Sequence, residues 1–126
     1  MTDPRYLTNH HAIVTGGGRG IGAAVALELA RLGASVTIMG RDQARLDAHA
    51  EAIARAHGVV VAAVSCEVGE AASVAEAFRI ARETLGVPYV LVNNAGQAEA
   101  ATFTATTPAL WNRLIAVNLT GTFLCM

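Results

Sequence analysis

The chain has 126 residues, of which 53% are hydrophobic and 15% are charged, and its formal net charge is −1 at pH 7. This length suits one compact domain with a substantial core and is too short for two ordinary domains, so we expect a single domain over residues 1–126. The nine positive charges are all scattered arginines, with no lysine in the sequence, which argues against a nucleic-acid partner.

In the first part of the chain, the spacing of apolar residues alternates between strand and helix periods. Residues 12–15 predict a strand and residues 20–32 a helix. Residues 35–39 predict a second strand, and Asp42 can cap a second helix that ends before Gly58. The inward faces are predicted to be Ile21, Val25, Leu29 and Leu32 in the first helix, and Leu46, Ala50, Ile53 and Ala54 in the second.

The same alternation continues to the end of the sequence. Residues 59–65 form a continuous apolar run typical of a strand buried on both faces, residues 71–85 predict a helix, and residues 89–93 predict a fourth strand. Thr107 and Pro108 have the pattern of a cap and first residue of a last helix. The inward residues are predicted to be Val74, Ala77, Phe78, Ala81 and Leu85 in the third helix, and Trp111, Leu114, Val117 and Leu119 in the last, with Trp111 as its anchor.

Strand–helix–strand units of this length cross over right-handed and build a parallel sheet with helices on both faces. We therefore predict an α/β, doubly wound Rossmann-type fold of three αβα layers, with strand order 3-2-1-4. The fourth strand would then form an uncovered apolar edge, so we expect either a partner or further polypeptide to cover it.

Several features indicate a cytoplasmic protein without a membrane or metal partner. Residues 1–10 lack a hydrophobic signal core, and residues 59–64, the longest aliphatic run, are too short to span a bilayer. Cys66 and Cys125 show no metal-binding spacing and are expected to be buried free thiols, with a disulfide as the alternative. His10 and His11 are expected to be a surface pair, and no metal site is predicted.

A glycine-rich segment connects the first strand to the first helix. It reads Thr15-Gly16-Gly17-Gly18-Arg19-Gly20-Ile21-Gly22. Glycines allow a phosphate to approach backbone N–H groups, and a helix amino end attracts anions. The position of this segment predicts a nucleotide site, in which Gly16 makes the sharp turn and Gly22 allows the helix to pack closely on the strand.

Three ordered motifs resemble the short-chain dehydrogenase/reductase family. The pattern Thr15-Gly16-x-x-x-Gly20-x-Gly22 looks like its cofactor fingerprint, and Asn93-Asn94-Ala95-Gly96 looks like its second hallmark. Val117-Asn118 in the last helix resembles its catalytic asparagine segment. The resemblance covers the amino-terminal half of such a protein, and it implies a fold that is incomplete at its carboxyl end.

The resemblance also implies a role for each matching residue. The turn would hold the phosphates and ribose of a nicotinamide dinucleotide, and the asparagine motif would line the adenosine ribose. Glu67, where the family usually has aspartate, would lie with Val68 beside the adenine; a solvated loop carboxylate is the alternative for Glu67. The implied cofactor-binding residues are Gly16, Gly18, Arg19, Gly20, Ile21, Gly22, Arg41, Glu67, Val68, Asn94, Ala95 and Gly96.

The end of the second strand bears on the choice of cofactor. An NAD-preferring site places a carboxylate there, whereas this chain has Gly40 followed by Arg41. A guanidinium can bind a 2′-phosphate through paired hydrogen bonds, and Arg19 could add a second positive charge. NADP(H) is therefore favoured, and NAD(H) remains an alternative if Asp42 faces the ribose instead of capping its helix.

The family transfers hydride between nicotinamide and a carbonyl or alcohol carbon, using a serine, a tyrosine and a lysine that match nothing here. Asn118 is the one catalytic-type residue that maps, and it would interrupt its helix so that a backbone carbonyl can hold a water. A mid-helix polar residue bonded to a neighbouring turn is the alternative for Asn118.

The resemblance implies the cofactor-binding half of an oxidoreductase that interconverts a ketone and a secondary alcohol. A 3-oxoacyl thioester is the suggested substrate, and a homodimer or homotetramer would form through the helix that contains Asn118. If 126 residues are the complete product, the alternative is a catalytically silent nucleotide-binding or assembly module.

Overall fold

The computed structural model describes residues 5–126, so the first four residues of the segment predicted to lack a signal core lie outside the described part. Helices and strands alternate through this part of the chain. They are β1 (His11–Thr15), α1 (Gly20–Arg31), β2 (Ser35–Gly40), α2 (Gln43–His57), β3 (Val61–Ser65), α3 (Ala71–Leu85), β4 (Pro88–Val92), a 3₁₀ turn (Phe103–Ala105), α4 (Pro108–Ile115), a π-helical turn (Ala116–Thr120) and α5 (Gly121–Cys125).

The four strands form one parallel sheet in the order β3-β2-β1-β4, which confirms the predicted order 3-2-1-4. Val14 of β1 pairs with Ile38 of β2 on one side and with Val92 of β4 on the other. Because each crossover connects the carboxyl end of one strand to the amino end of the next, all four carboxyl ends meet at the same edge.

Helices cover both faces of the sheet, and each face has its own core. On one face Ala12, Val14 and Ile38 pack with residues of α1 and α2. On the other face Ile13 and Met39 pack with residues of α3 and the last helical region. Adjacent residues of β1 and of β2 point to opposite faces, which explains why the sequence of these central strands is apolar without alternation.

Strand β3 differs from the prediction, because it begins at Val61 and is only partly buried. Its first three residues are half-buried, and the preceding Val60 is 63% exposed. The expectation of a strand buried on both faces was therefore wrong. β3 is an outer strand of the sheet, so one of its edges has no neighbouring strand.

The predicted surface histidine pair is also wrong for one of its members. His11 is 3% exposed, and its ring nitrogens bond to the Gly86 carbonyl at 2.8 Å and to the Thr37 hydroxyl at 2.7 Å. Burial lowers the pKa of His11, although the hydrogen bond to Gly86 acts in the opposite direction. The neighbouring His10 stacks on the Tyr89 ring with centroids 4.1 Å apart.

The last helical region begins as predicted and then departs from a regular helix. The Thr107 hydroxyl accepts a hydrogen bond from the Leu110 N–H, with Pro108 at the helix start. Trp111 is 60% exposed and does not anchor the helix, and Leu119 is 65% exposed. The wider π-helical turn changes the residue spacing beyond Ile115, so a single helical period could not describe the buried side.

Among the described residues, no helix combines the length and the apolar character needed to cross a lipid bilayer.

Candidate cofactor site

A cleft of about 930 Å³ lies at the carboxyl ends of the strands. Its volume is within the range of small-molecule and cofactor sites. The cleft opens at the end of β1, which has β2 as its neighbour on one side and β4 on the other. The strand order changes direction at this point, and doubly wound sheets bind ligands at such a position. The predicted residues that line it are Gly16, Gly18, Arg19, Gly20, Ile21, Arg41, Glu67, Val68, Asn94, Ala95 and Gly96.

The glycine turn brings the start of α1 directly against the end of β1. Gly16 has φ +66°, a conformation that favours glycine. A Cβ on Gly22 would lie 2.1 Å from the Gly16 carbonyl oxygen and 2.3 Å from Asn94 Nδ2. Gly22 is therefore buried behind the wall of the cleft, where it permits close packing as predicted, and it does not line the cavity.

The amino end of α1 faces the cleft without a side-chain cap. In the part of the chain that the structure describes, no side chain bonds to the first N–H groups of α1, and its first turn carries no acidic residue. Such a helix end has unpaired N–H groups and a partial positive charge. These groups fit the phosphates of a dinucleotide.

Ile21 lies on a different side of α1 from the one predicted. It was predicted to lie on the inward face of α1, but its side chain is 77% exposed and lines the cleft. The small residues Gly22, Ala26 and Ala30 occupy the buried face of α1. They allow a closer approach to the sheet than a stripe of large residues would permit.

The Thr15 hydroxyl fixes the asparagine motif to the end of β1. Thr15 is 2% exposed, and its Oγ1 accepts hydrogen bonds from the N–H groups of Asn94 and Ala95, both at 3.0 Å. Asn94 Nδ2 in turn donates to the Gly16 carbonyl at 3.1 Å. Thr15 belongs to the fingerprint in the sequence, but its pattern there indicates no role for the hydroxyl. The available signal was a hydroxyl at the end of an otherwise apolar strand.

Asn118 lies in the π-helical turn, outside the lining of the cleft. Its side-chain oxygen accepts from the Gln97 N–H at 2.9 Å, and its amide nitrogen donates to the Gln97 carbonyl at 2.7 Å. Asn118 thus fastens the segment after the asparagine motif to the last helical region. A π-helical turn interrupts the regular helix at this residue, and the bonds to Gln97 fit the alternative of a polar residue bonded to a neighbouring segment.

Three charged side chains lie near the carboxyl ends of β2 and β3. The Asp42 carboxylate accepts from the Arg45 N–H at 3.1 Å and so caps α2 as predicted. The Arg41 Nε lies 4.0 Å from a carboxylate oxygen of Glu67. The end of β2 therefore presents Arg41 to the cleft, while the neighbouring carboxylate of Asp42 is already used as a helix cap.

Cys66 lines the cleft but is not suited to nucleophilic chemistry. Cys66 and Cys125 are both buried and free, which confirms the predicted state of the thiols. Burial raises the pKa of the Cys66 thiol to about 11 and also raises that of Cys125. Among the described residues, no group of three or more histidine, cysteine or acidic side chains is placed to hold a metal ion.

Neither a tyrosine nor a lysine is among the residues that line the cleft in the described part of the chain. Tyr6 is 60% and Tyr89 is 68% exposed, and neither lines the cavity. The chain contains no lysine.

Comparisons with known proteins agree with this geometry. 2-(S)-hydroxypropyl-CoM dehydrogenase 3 of Xanthobacter autotrophicus is 39% identical over 118 residues, which cover 94% of this chain and 46% of the relative. The 3-oxoacyl-(acyl-carrier-protein) reductase of Aquifex aeolicus is 38% identical over 113 residues, covering 90% and 46%. The solved structure of a metagenomic short-chain oxidoreductase in complex with NADP has a TM-score of 0.89 and 37% identity, covering 94% and 54%.

The chain spans about half the length of the curated relatives it matches. Residues 10–126 match the sequence profile of the short chain dehydrogenase family. The chain therefore belongs to the short-chain dehydrogenase family, and it corresponds to the amino-terminal half of these oxidoreductases.

Proposed function

We propose that residues 1–126 form one dinucleotide-binding domain, the cofactor-binding half of an NADP(H)-dependent oxidoreductase. The observation that carries this proposal is the cleft at the strand ends, where the glycine turn and the uncapped end of α1 leave backbone N–H groups available to a diphosphate. When bound, a nicotinamide dinucleotide supplies the hydride donor or acceptor.

Each part of the cleft has a proposed contact with the cofactor. The turn from Gly16 to Ile21 would hold the phosphates, with Arg19 adding positive charge at the rim. Asn94, Ala95 and Gly96 would line the adenosine ribose, because Thr15 and Gly16 fix this motif beside the turn. Glu67 and Val68 would lie beside the adenine.

Two features of the end of β2 support NADP(H) as the preferred cofactor. Gly40 offers no carboxylate to the ribose, and Arg41 offers a guanidinium to a 2′-phosphate. The geometry of Asp42 weighs against NAD(H), the second candidate, because that carboxylate caps α2. The metagenomic relative described above was solved with NADP.

Titration of the chain with NADP⁺ and NAD⁺ tests the proposal. We expect saturable binding of NADP⁺, and the variant Arg41→Asp should shift the NADP⁺-to-NAD⁺ affinity ratio towards NAD⁺ by about tenfold or more, since hydrogen bonds to charged groups contribute about 1.5–3 kcal/mol. Arg55→Asp is the matched control, because this exposed arginine pairs with Glu51 outside the cleft. Failure of both dinucleotides to bind at millimolar concentration would refute the proposal.

For the whole protein we propose interconversion of a ketone and a secondary alcohol, with a 3-oxoacyl thioester as the candidate substrate. The Aquifex relative is by name a reductase of such a substrate. Asn118 is the proposed catalytic-type residue of this half, although its amide is engaged with Gln97. The backbone carbonyl of Asn118 would hold a water of the proton relay.

The absence of lysine, and of a tyrosine at the cleft, favours a second candidate function for the 126 residues alone, namely a silent nucleotide-binding module. An NADPH-oxidation assay with a 3-oxoacyl thioester separates the two candidates. We expect the chain to bind NADPH without turnover, and steady turnover would exclude the silent module.

We also propose a homodimer or homotetramer through the helical region that contains Asn118, in a cytoplasmic protein. Trp111, Leu119 and Phe123 expose 60–68% of their surface along this region, and such a stripe is typical of an interface. The free thiols support the proposed compartment. Sedimentation equilibrium should give a multiple of the 13.0 kDa chain mass, and a monomer would contradict the proposed assembly.

A further inference from the structure

The guanidinium of Arg41 is held by two groups from different parts of the chain. With its carboxamide oxygen facing the guanidinium, the orientation that satisfies both groups, Gln97 accepts hydrogen bonds from Arg41 Nη1 at 2.8 Å and from Nη2 at 2.9 Å. On the other side, the Glu67 carboxylate lies 4.0 Å from Arg41 Nε. The terminal edge of the guanidinium, which a phosphate would use, is thus bonded to Gln97.

The sheet order shows where this contact lies. Arg41 follows β2 and Gln97 comes shortly after β4, while β1 lies between these two strands. Arg41 and Gln97 therefore come from opposite sides of β1 at the edge of the sheet where the glycine turn begins. All three residues of the contact, Arg41, Gln97 and Glu67, line the proposed cofactor cleft.

The position of Gln97 is fixed by its backbone, not by its side chain. Asn118 bonds to both the N–H and the carbonyl of Gln97, at 2.9 Å and 2.7 Å. The Gln97 carboxamide is therefore presented to Arg41 from a fastened segment. Substitutions of its side chain leave the contacts of Asn118 in place.

We propose that Gln97 is a positioning residue that holds Arg41 closed across the cofactor cleft, and that dinucleotides bind only after Arg41 leaves Gln97. This inference rests on the dinucleotide-binding function proposed above. A 2′-phosphate can take over the released guanidinium, whereas the 2′-hydroxyl of NAD⁺ offers no comparable charge. Arg41 thus determines the preference between the two cofactors, and Gln97 determines the affinity for both.

The size of the change in dinucleotide affinity follows from the populations of the closed and open positions of Arg41. If dinucleotides bind only the open form, the apparent dissociation constant is the intrinsic constant divided by the fraction of molecules that are open. This factor is the same for both dinucleotides. Arg41 is 59% exposed, so its contact with Gln97 is comparable to an exposed charged pair. Removing that contact should strengthen binding of NADP⁺ and of NAD⁺ by the same factor, about two- to fivefold.

Fluorescence or calorimetric titration of four variants tests this proposal. Gln97→Ala should strengthen binding of both dinucleotides equally, and Gln97→Glu should weaken both. In the Arg41→Ala background, Gln97→Ala should change neither affinity, because the held side chain is already absent. The proposal is overturned if Gln97→Ala binds the dinucleotides no more tightly than the wild type does. It is also overturned if Gln97→Ala strengthens binding by the same factor in the Arg41→Ala background.

A measurement without ligand separates this proposal from the proposed function. NMR of the ligand-free chain should show restricted rotation of the Arg41 guanidinium, and Gln97→Ala should release it. If no variant binds a dinucleotide, the proposed function fails, yet the Arg41 signals still decide whether Gln97 holds this side chain. Identical Arg41 signals in wild type and in Gln97→Ala would refute the closed position.

Discussion

The close contact between α1 and β1 at Gly22 gives the most direct test of the site geometry. The substitution Gly22→Ala adds one methyl group at a point 2.1 Å from the Gly16 carbonyl oxygen and 2.3 Å from Asn94 Nδ2. Both distances are about 1 Å shorter than ordinary contacts between non-bonded atoms. The start of α1 must therefore move away from the turn and from the asparagine motif.

The expected loss of stability combines three contributions. Overpacking in a close-packed interior costs about 1–3 kcal/mol. Loss of the hydrogen bond from Asn94 to the Gly16 carbonyl costs a further ~0.5–1.5 kcal/mol. The higher helix propensity of alanine offsets up to about 1 kcal/mol. We expect a net destabilisation of about 0.5–4.5 kcal/mol, or about 2–18 °C in Tm for a domain of this size.

Thermal unfolding and NADP⁺ titration of the same sample measure both consequences. NADP⁺ affinity should fall by about tenfold or more, because the displaced helix end no longer meets the phosphates. Gly18→Ala is the matched control for stability. Its added Cβ meets the tip of the Leu46 side chain at 3.2 Å, and a flexible side chain can yield where a backbone carbonyl cannot.

A Gly22→Ala variant with the Tm and the NADP⁺ affinity of the wild type would refute this reasoning. It would mean that α1 has room to move without disturbing the cleft. A lower Tm with unchanged affinity would separate the two effects, and would place the phosphates away from the start of α1.

Three further outcomes follow from individual side chains. Thr15→Val should lower the free energy of unfolding by about 1–3 kcal/mol in urea, because two N–H groups lose their acceptor, whereas Thr15→Ser should retain most of the stability. The pKa of His11 in the folded chain is lowered from 6.5 by burial, so the unfolded chain takes up a proton on this imidazole at a higher pH than the folded chain. The free energy of unfolding should therefore fall as the pH drops below about 6.5. The drop in Tm between about pH 7.5 and about pH 5.5 should be smaller in His11→Gln than in the wild type. Because the pKa of Cys66 is about 11, the native thiol should resist alkylation at about pH 8 and react only after denaturation, and rapid alkylation of the native chain would contradict its burial.

Much of the fold was predictable because it depends on local patterns. The third helix has the predicted bounds Ala71–Leu85, and Asp42 and Thr107 cap the helices they were expected to cap. Apolar spacing, glycines and capping residues determine such elements within a few residues of sequence. The strand order then followed from the right-handed crossovers.

The remaining features depend on partners that are distant in the sequence. The sequence predicts His11 as one of a surface pair, because its hydrogen-bond partners Thr37 and Gly86 are far from it in the chain. Ile21 has the spacing of a buried residue, but its side of α1 faces the cleft and not the sheet. No local pattern indicates the contact between Arg41 and Gln97, because it requires the order of three strands to be known.

The hydroxyl of Thr15 joins segments that lie 79 and 80 residues apart in the chain. A site assembled over such a separation exists only when nearly the whole domain has folded, and pairings of this kind form slowly. A ligand that binds the finished cleft would therefore shift the global folding equilibrium, by about 2.7 kcal/mol at a hundredfold excess over its dissociation constant. The supply of nicotinamide dinucleotide would then help to set how long the polypeptide survives proteolysis.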